Sequence, residues 1–274
     1  MEFSGDKLKY RIAFNREAEN LFREALSLRS QTSAEMKNVI GTAESVLALT
    51  LADQGNFAEA EKMIRDKLDQ LNAQENKESP EWMFTLTMLG SLQMEKGELD
   101  EAEKNLADSE IRYRKIHRET YLPLGDNLRL QAQTLYFQGK YSEAETKINE
   151  ALIIYKQSTT SKYINYATAL SIQGLIMTRT NRLAEGEKIL REAVQIRSEN
   201  LPSDNFLTAL AKSALGENLT LQKKYDEAEP LLLESFENLK KSQGENNPRA
   251  ILAKNRLAEL YKNWGKTESA LKYQ

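Results

Sequence analysis

The sequence has no cysteine, a single histidine (His117), and only 12 glycines and 5 prolines in 274 residues. Without cysteine there is no disulfide, no thiolate nucleophile and no zinc–thiolate site. One imidazole cannot supply the paired histidines of a helical zinc motif, so neither a metal nor a cofactor is expected. Average usage would give about 19 glycines and about 14 prolines in a chain of this length. Turn-formers are therefore scarce, which implies long elements, and in a chain of this polarity long elements are helices. No run approaches the roughly 18 apolar residues of a transmembrane helix, and the opening MEFSGDKLKY lacks the apolar core of a signal peptide. These absences predict a cytoplasmic chain. Lys+Arg 38 against Asp+Glu 41 leaves a net charge of −3, where nucleic-acid binding usually needs a basic domain. No nucleic-acid or membrane partner is expected.

What the sequence does have is a repeat. Gly55-Asn56-Phe57-Ala58-Glu59-Ala60-Glu61 recurs as Gly97-Glu98-Leu99-Asp100-Glu101-Ala102-Glu103 and as Gly139-Lys140-Tyr141-Ser142-Glu143-Ala144-Glu145. It continues as Asn181-Arg182-Leu183-Ala184-Glu185-Gly186-Glu187, then Lys223-Lys224-Tyr225-Asp226-Glu227-Ala228-Glu229, and weakly as Gly265-Lys266-Thr267-Glu268-Ser269-Ala270. Every interval is 42 residues. Seven residues before each anchor sits a small residue: Ala48, Gly90, Ala132, Gly174, Gly216 and Ala258. Nine residues after the first five anchors sits a branched aliphatic: Ile64, Leu106, Ile148, Leu190 and Leu232. Large apolar residues between them recur at spacings of three and four, as in Leu86, Leu89, Leu92 or Ile148, Leu152, Tyr155, which is helical periodicity.

Each period thus reads as two antiparallel helices joined by a tight turn at the anchor. The small column, with Ala60, Ala102, Ala144 and Ala228 opposite, lets the paired backbones approach. Ser79-Pro80 and Asn247-Pro248 are start signals, a capping side chain followed by a proline at the first helical position. The linkers LNAQENKES, KQSTTSK and KKSQGENN are short and polar. Pro230, about five residues into a second helix, is expected to leave a mild bend.

These columns resemble the tetratricopeptide repeat, and the 42-residue period with Glu-Ala-Glu after the turn is similar to the kinesin light chain variety. Eight residues beyond the standard 34 would lengthen each helix by about one turn. The closing stretch, LTALAKSALGENLTLQKKYDEAEPLLLESFENL and LAELYKNWGKTESALKYQ, resembles repeat arrays attached to bacterial serine/threonine kinases. The resemblance implies an all-α fold, a right-handed α-solenoid of stacked antiparallel helix pairs. Its repeats would span 34–75, 76–117, 118–159, 160–201, 202–243 and a truncated 244–274. Residues 1–33 would form a cap or partial repeat with a second helix over about 14–30, the array being cut from something longer or starting on an atypical cap.

By the same resemblance, the first helices line a concave groove that binds a peptide or protein segment. The family's groove columns fall on Asp126, Arg129, Gln133, Tyr136 and Phe137 in the third pair and on Thr168, Ser171, Leu175, Thr178 and Arg179 in the fourth. Arg129 and Arg179 flanking Tyr136, Phe137 and Gln133, with Ser171 and Thr178 nearby, form a set that could grip a carboxylate and seat an apolar side chain. The other reading of the same residues is that the aromatics pack between repeats and the arginines pair with Asp126 or a glutamate. No set holds the Lys and Asn pair with which chaperone-binding members clamp a peptide carboxylate.

The remaining motifs carry less. The basic run IRYRKIHRE (111–119) lies at the end of a second helix, where cations suit the helix dipole, and the Glu-Ala-Glu triplets lie at helix starts for the mirror-image reason. Gly265-Lys266-Thr267 resembles the end of a phosphate loop, but the glycine required five residues earlier is Leu260. Asn218-Leu219-Thr220 is a glycosylation sequon inside a helix. The chain is thus expected to be a non-catalytic interaction scaffold or adaptor, with possible self-association through its end repeats. The alternative is a peptide-sensing regulatory module of a larger signalling protein. An enzyme is not expected, for want of a catalytic constellation.

Overall fold

The computed structural model describes residues 20, 24, 47, 48, 51, 52, 56–73, 79–116, 121–157 and 164–273. Most of the expected amino-terminal cap, Gly55 and His117 lie outside them. Among the described residues there is no strand, and the helices follow the 42-residue frame. In chain order they are α1 (Phe57–Ala73), α2 (Pro80–Lys96), α3 (Leu99–Ile116), α4 (Leu122–Phe137), α5 (Tyr141–Gln157) and α6 (Ile164–Arg179). They continue as α7 (Leu183–Asn200), α8 (Phe206–Leu221), α9 (Tyr225–Gln243), α10 (Pro248–Trp264) and the short α11 (Thr267–Leu271).

The helices fall into two compact units divided at Gly139, which lies inside the 118–159 repeat. In the first unit α2 packs on α1, α3 and α4, and α3 also packs on α4. In the second, α6, α8 and α10 are successive first helices. Each packs on the second helix that follows it, and α8 touches both α6 and α10.

The anchor is a backbone requirement before it is a sequence motif. Gly97, Gly139, Asn181, Lys223 and Gly265 all have positive φ, between 62° and 84°. That left-handed residue ends the first helix and reverses the chain within two residues. Glycine adopts it freely and asparagine tolerates it, whereas lysine at 223 bears a Cβ penalty. At the starts, Ser79 Oγ accepts from the Trp82 amide at 3.1 Å and Asn247 Oδ1 from the Arg249 amide at 2.9 Å, as the Ser-Pro and Asn-Pro signals imply. Asn205 caps α8 in the same way without a following proline. Pro230 falls just past the first turn of α9, where it leaves the Asp226 carbonyl without its helical donor, and the helix runs on to Gln243.

The small column and the aliphatic column turn out to be one contact. A Cβ built on Gly174 or Gly216 would lie 2.5 Å from Cγ of Leu190 or Leu232, and one on Gly90 would lie 2.7 Å from Leu106 Cγ. The aliphatic side chain of the second helix fills the hole left by the missing methyl of the first. Ile64, Leu106, Ile148, Leu190 and Leu232 are accordingly at most 1% exposed. Gly186 replaces the usual alanine of the second helix because the Asn218 amide occupies that space, 2.9 Å from where a Cβ would stand. In the second unit this packing extends into a continuous core from Leu190 to Ala270.

Candidate functional site

The residues singled out from the sequence lie on two units and in different states. Arg129, Gln133 and Phe137 are spaced by four on α4 and so share one helical face. Arg129 and Gln133 are half-buried. Phe137, the last residue of the helix, is 51% exposed, and Tyr136 meets its ring edge-on at 5.7 Å. On α6 of the second unit, Ser171 and Thr178 are buried, their hydroxyls donating to the Ala167 and Gly174 carbonyls of their own helix at 2.9 and 2.8 Å. Thr178 Oγ1 also accepts from Asn218 Nδ2 at 2.8 Å. Arg179 is exposed but engaged, with Nη2 2.5 Å from Glu217 on α8.

Glu217, a groove-column residue of the fifth pair, is the acceptor. It receives Arg179 from α6 on one side and Arg256 from α10 on the other, and Arg256 also donates to Ser213 Oγ at 3.0 Å. One carboxylate therefore ties three successive first helices. Arg179 pairs with a glutamate, whereas Arg129 takes no carboxylate among the described residues, Asp126 included, and its buried Nε has no acceptor among them.

Polar side chains also link the pairs from inside. In the first unit, Thr87, Ser109, Asn127, Gln131 and Glu110 form a buried cluster across α2, α3 and α4. Asn127 Nδ2 donates to Thr87 Oγ1 at 3.0 Å, and Gln131 Nε2 donates to Glu110 at 2.6 Å. Tyr113, fully enclosed beside it, has its phenol pushed well above its usual range by burial. In the second unit Asn218 donates to Thr178 and to the Leu183 carbonyl, which closes the glycosylation sequon inside the core.

The Glu-Ala-Glu triplets do more than complement a dipole. The second glutamate of each reaches forward to the turn of the next pair. Glu61 meets Lys96 at 2.6 Å, Glu103 meets Gln138 at 2.9 Å, and Glu145 meets Arg182 at 2.7 Å. Glu187 meets Gln222 at 2.8 Å and Lys224 at 2.6 Å, and Glu229 meets Lys266 at 3.7 Å. The readable signal was a cation or amide beside each of these anchors, 35 to 37 residues past a triplet glutamate.

These contacts set the electrostatics. Burial by itself would raise the Glu187 carboxyl, but hydrogen bonds from Lys224, Arg191 and Gln222 outweigh it and hold it at about 2. The native state thus favours the ionised form, so this stabilisation is present above an ordinary carboxyl value of about 4.5 and is lost as pH falls toward 2. Urea unfolding at a series of pH values should show a loss of about 1–2 kcal/mol across that window after solvent screening, and Glu187→Gln should flatten that part of the profile. An unchanged profile in the variant would remove Glu187 from the account. Glu61 is lowered likewise by Lys96 and Arg65.

The basic run is similarly occupied. Arg112 pairs with Asp108 and lies 4.5 Å over the Trp82 ring, and Arg114 pairs with Glu110. Gly265 is the left-handed turn residue, and Lys266 sits 3.2 Å from the centre of the Trp264 ring. Among the described residues no group of three or more His, Asp or Glu side chains is placed to hold a metal, and no helix is long and apolar enough to cross a membrane.

Residues 207–274 match the family profile of the tetratricopeptide repeat. A search of curated protein sequences finds no match. Among solved structures, a Rap protein complexed with competence and sporulation factor is 13% identical with a TM-score of 0.71, over 98% of this chain and 74% of that one. A signal-transduction ATPase with a tetratricopeptide repeat sensor, from Pyrococcus horikoshii, is 17% identical with a TM-score of 0.63, over 96% of this chain and 37% of that one. BtubC (BKLC) of P. vanneervenii is 17% identical with a TM-score of 0.62, over 84% of this chain and 90% of that one. Over residues 207–274 the chain is thus similar to the tetratricopeptide repeat, and its fold is that of a tetratricopeptide repeat protein.

Proposed function

We propose that the chain is a non-catalytic interaction scaffold that binds a peptide or protein segment along the groove face of its first helices. The observation that carries this reading is Phe137, a half-exposed aromatic ending a helical face that also bears Arg129 and Gln133. Leu221 and Leu252, on the first helices α8 and α10 of the second unit, are exposed as well. A large aromatic left half-exposed beside a guanidinium and an amide on one helix face favours a partner. In the first unit Tyr136 buttresses Phe137; in the second, Glu217 holds Arg179 and internal hydrogen bonds of Ser171 and Thr178 fix α6.

The regulatory reading, a peptide-sensing module of a larger signalling protein, is favoured by the neighbours described as bound to a competence and sporulation factor and as carrying a repeat sensor. Both readings place a segment on the same face.

Selection of displayed random peptides over the whole chain tests it. Enriched sequences are expected, and Phe137→Ser should weaken the leading synthetic peptide by about tenfold or more at unchanged helicity. Failure to enrich any peptide, or binding by both Phe137→Ser and Leu221→Ser that equals that of the wild type, would sink the groove reading. Sedimentation of the same sample reports whether the end pairs, with Ile251, Leu252 and Leu271 exposed, also join two copies.

A further inference from the structure

Nearly every arginine among the described residues is occupied. Arg65, Arg112, Arg114, Arg179, Arg182, Arg191 and Arg256 hold carboxylates. Arg197 binds Thr168 and the Leu207 carbonyl, and Arg249 lies over the Phe206 ring. Arg129 stands apart: none of the described residues bonds, pairs or stacks with it, and its Nε is buried. A buried N–H without an acceptor is destabilising by about 1–3 kcal/mol, and a guanidinium cannot shed its charge to escape that. A half-buried cation left in this state has the electrostatics of one half of an ion pair.

The rest of the pair can be specified from α4. Phe137 is eight residues beyond Arg129 on the same face, about 12 Å along a helix of about 1.5 Å rise. A segment lying extended along that face advances about 3.3 Å per residue, so groups meeting Arg129 and Phe137 are about four positions apart. Gln133, midway, has an amide that can donate to and accept from one peptide unit of such a segment. A planar fork of donors suits a carboxylate, which it can grip with two parallel hydrogen bonds.

We propose that Arg129 receives the carboxylate of an acidic side chain in an extended partner segment, whose apolar side chain about four positions away seats on Phe137. This rests on the groove reading above and narrows it to one partner chemistry, with charge complementarity as its ground.

The test uses the same peptide selection over the whole chain. The wild type should enrich Asp or Glu about four positions from Leu, Ile or Phe. Arg129→Gln should abolish the acidic preference and weaken the leading peptide by about 10- to 100-fold, while Arg65→Gln, a paired surface site, leaves it unchanged. Arg129→Lys keeps the charge without the fork. It should retain the acidic preference at several-fold lower affinity, which separates lost recognition from lost folding. Enrichment without acidic preference, or a preference that survives Arg129→Gln, overturns the assignment and leaves the groove reading standing. So does tighter binding of a phosphoserine version of the peptide than of the acidic one. Failure to enrich anything would take both down.

Discussion

Truncating Leu232 to alanine should lower the unfolding free energy of the second unit by about 2–5 kcal/mol, among the largest single-site effects in the chain. Leu232 is fully buried and stands on Gly216, where no Cβ keeps the helices apart. Removing its isobutyl group opens a cavity between α8 and α9 that two helices fixed by a tight turn cannot collapse. The converse change, Gly216→Ala, should cost about 1–3 kcal/mol by overpacking, because its Cβ would stand 2.5 Å from Leu232 Cγ. The pair is more telling than either change alone. In the Leu232→Ala background the new methyl has room, so Gly216→Ala should become close to neutral, giving a coupling energy of about 1–3 kcal/mol in a denaturant-unfolding cycle. Additive effects would mean that the small and aliphatic columns are not one contact.

Glu217→Ala should be nearly as severe, for electrostatic reasons. The carboxylate is 13% exposed and Arg256 10%, whereas Arg179 is 41% exposed. Removing Glu217 strands Arg256 with Ser213 as its remaining partner, and breaking a largely buried pair from one side destabilises by about 3 kcal/mol or more. Arg179→Ala should cost under about 1 kcal/mol, since that arginine is solvated and Glu217 keeps Arg256. Thermal or urea unfolding of the two variants checks the asymmetry. Equal losses would show that Glu217 is held no more firmly by α10 than by α6.

The contrast between these sites shows where the sequence was transparent. The 42-residue frame was legible because its anchors are set by local backbone conformation and its columns by steric fit. A left-handed turn selects glycine, or asparagine at 181, and a hole selects a small residue whoever the neighbours are. The helix pairs, the Ser79 and Asn247 caps and the tight turns follow from that. Polar side chains are harder, because their state depends on a partner about one period away. Ser171 and Thr178 share groove columns with Arg129 and Tyr136, yet both are buried, Thr178 holding an asparagine 40 residues on. Nothing in the spacing distinguishes Arg129, which has no acceptor, from Arg179, which has Glu217. That difference is made by Glu217, 38 residues past Arg179 on the first helix of the next pair.

The forward-reaching triplet glutamates have a consequence for how such a chain changes length. Each pair carries one half of a joint at its second helix and the complementary half at its turn, and the donors along the chain are lysine, glutamine and arginine in turn. Any of these answers a carboxylate. A pair duplicated, lost or moved to another place in the order still finds an acceptor behind it and a donor ahead. The exchangeable piece of this molecule is then the whole period rather than any single helix.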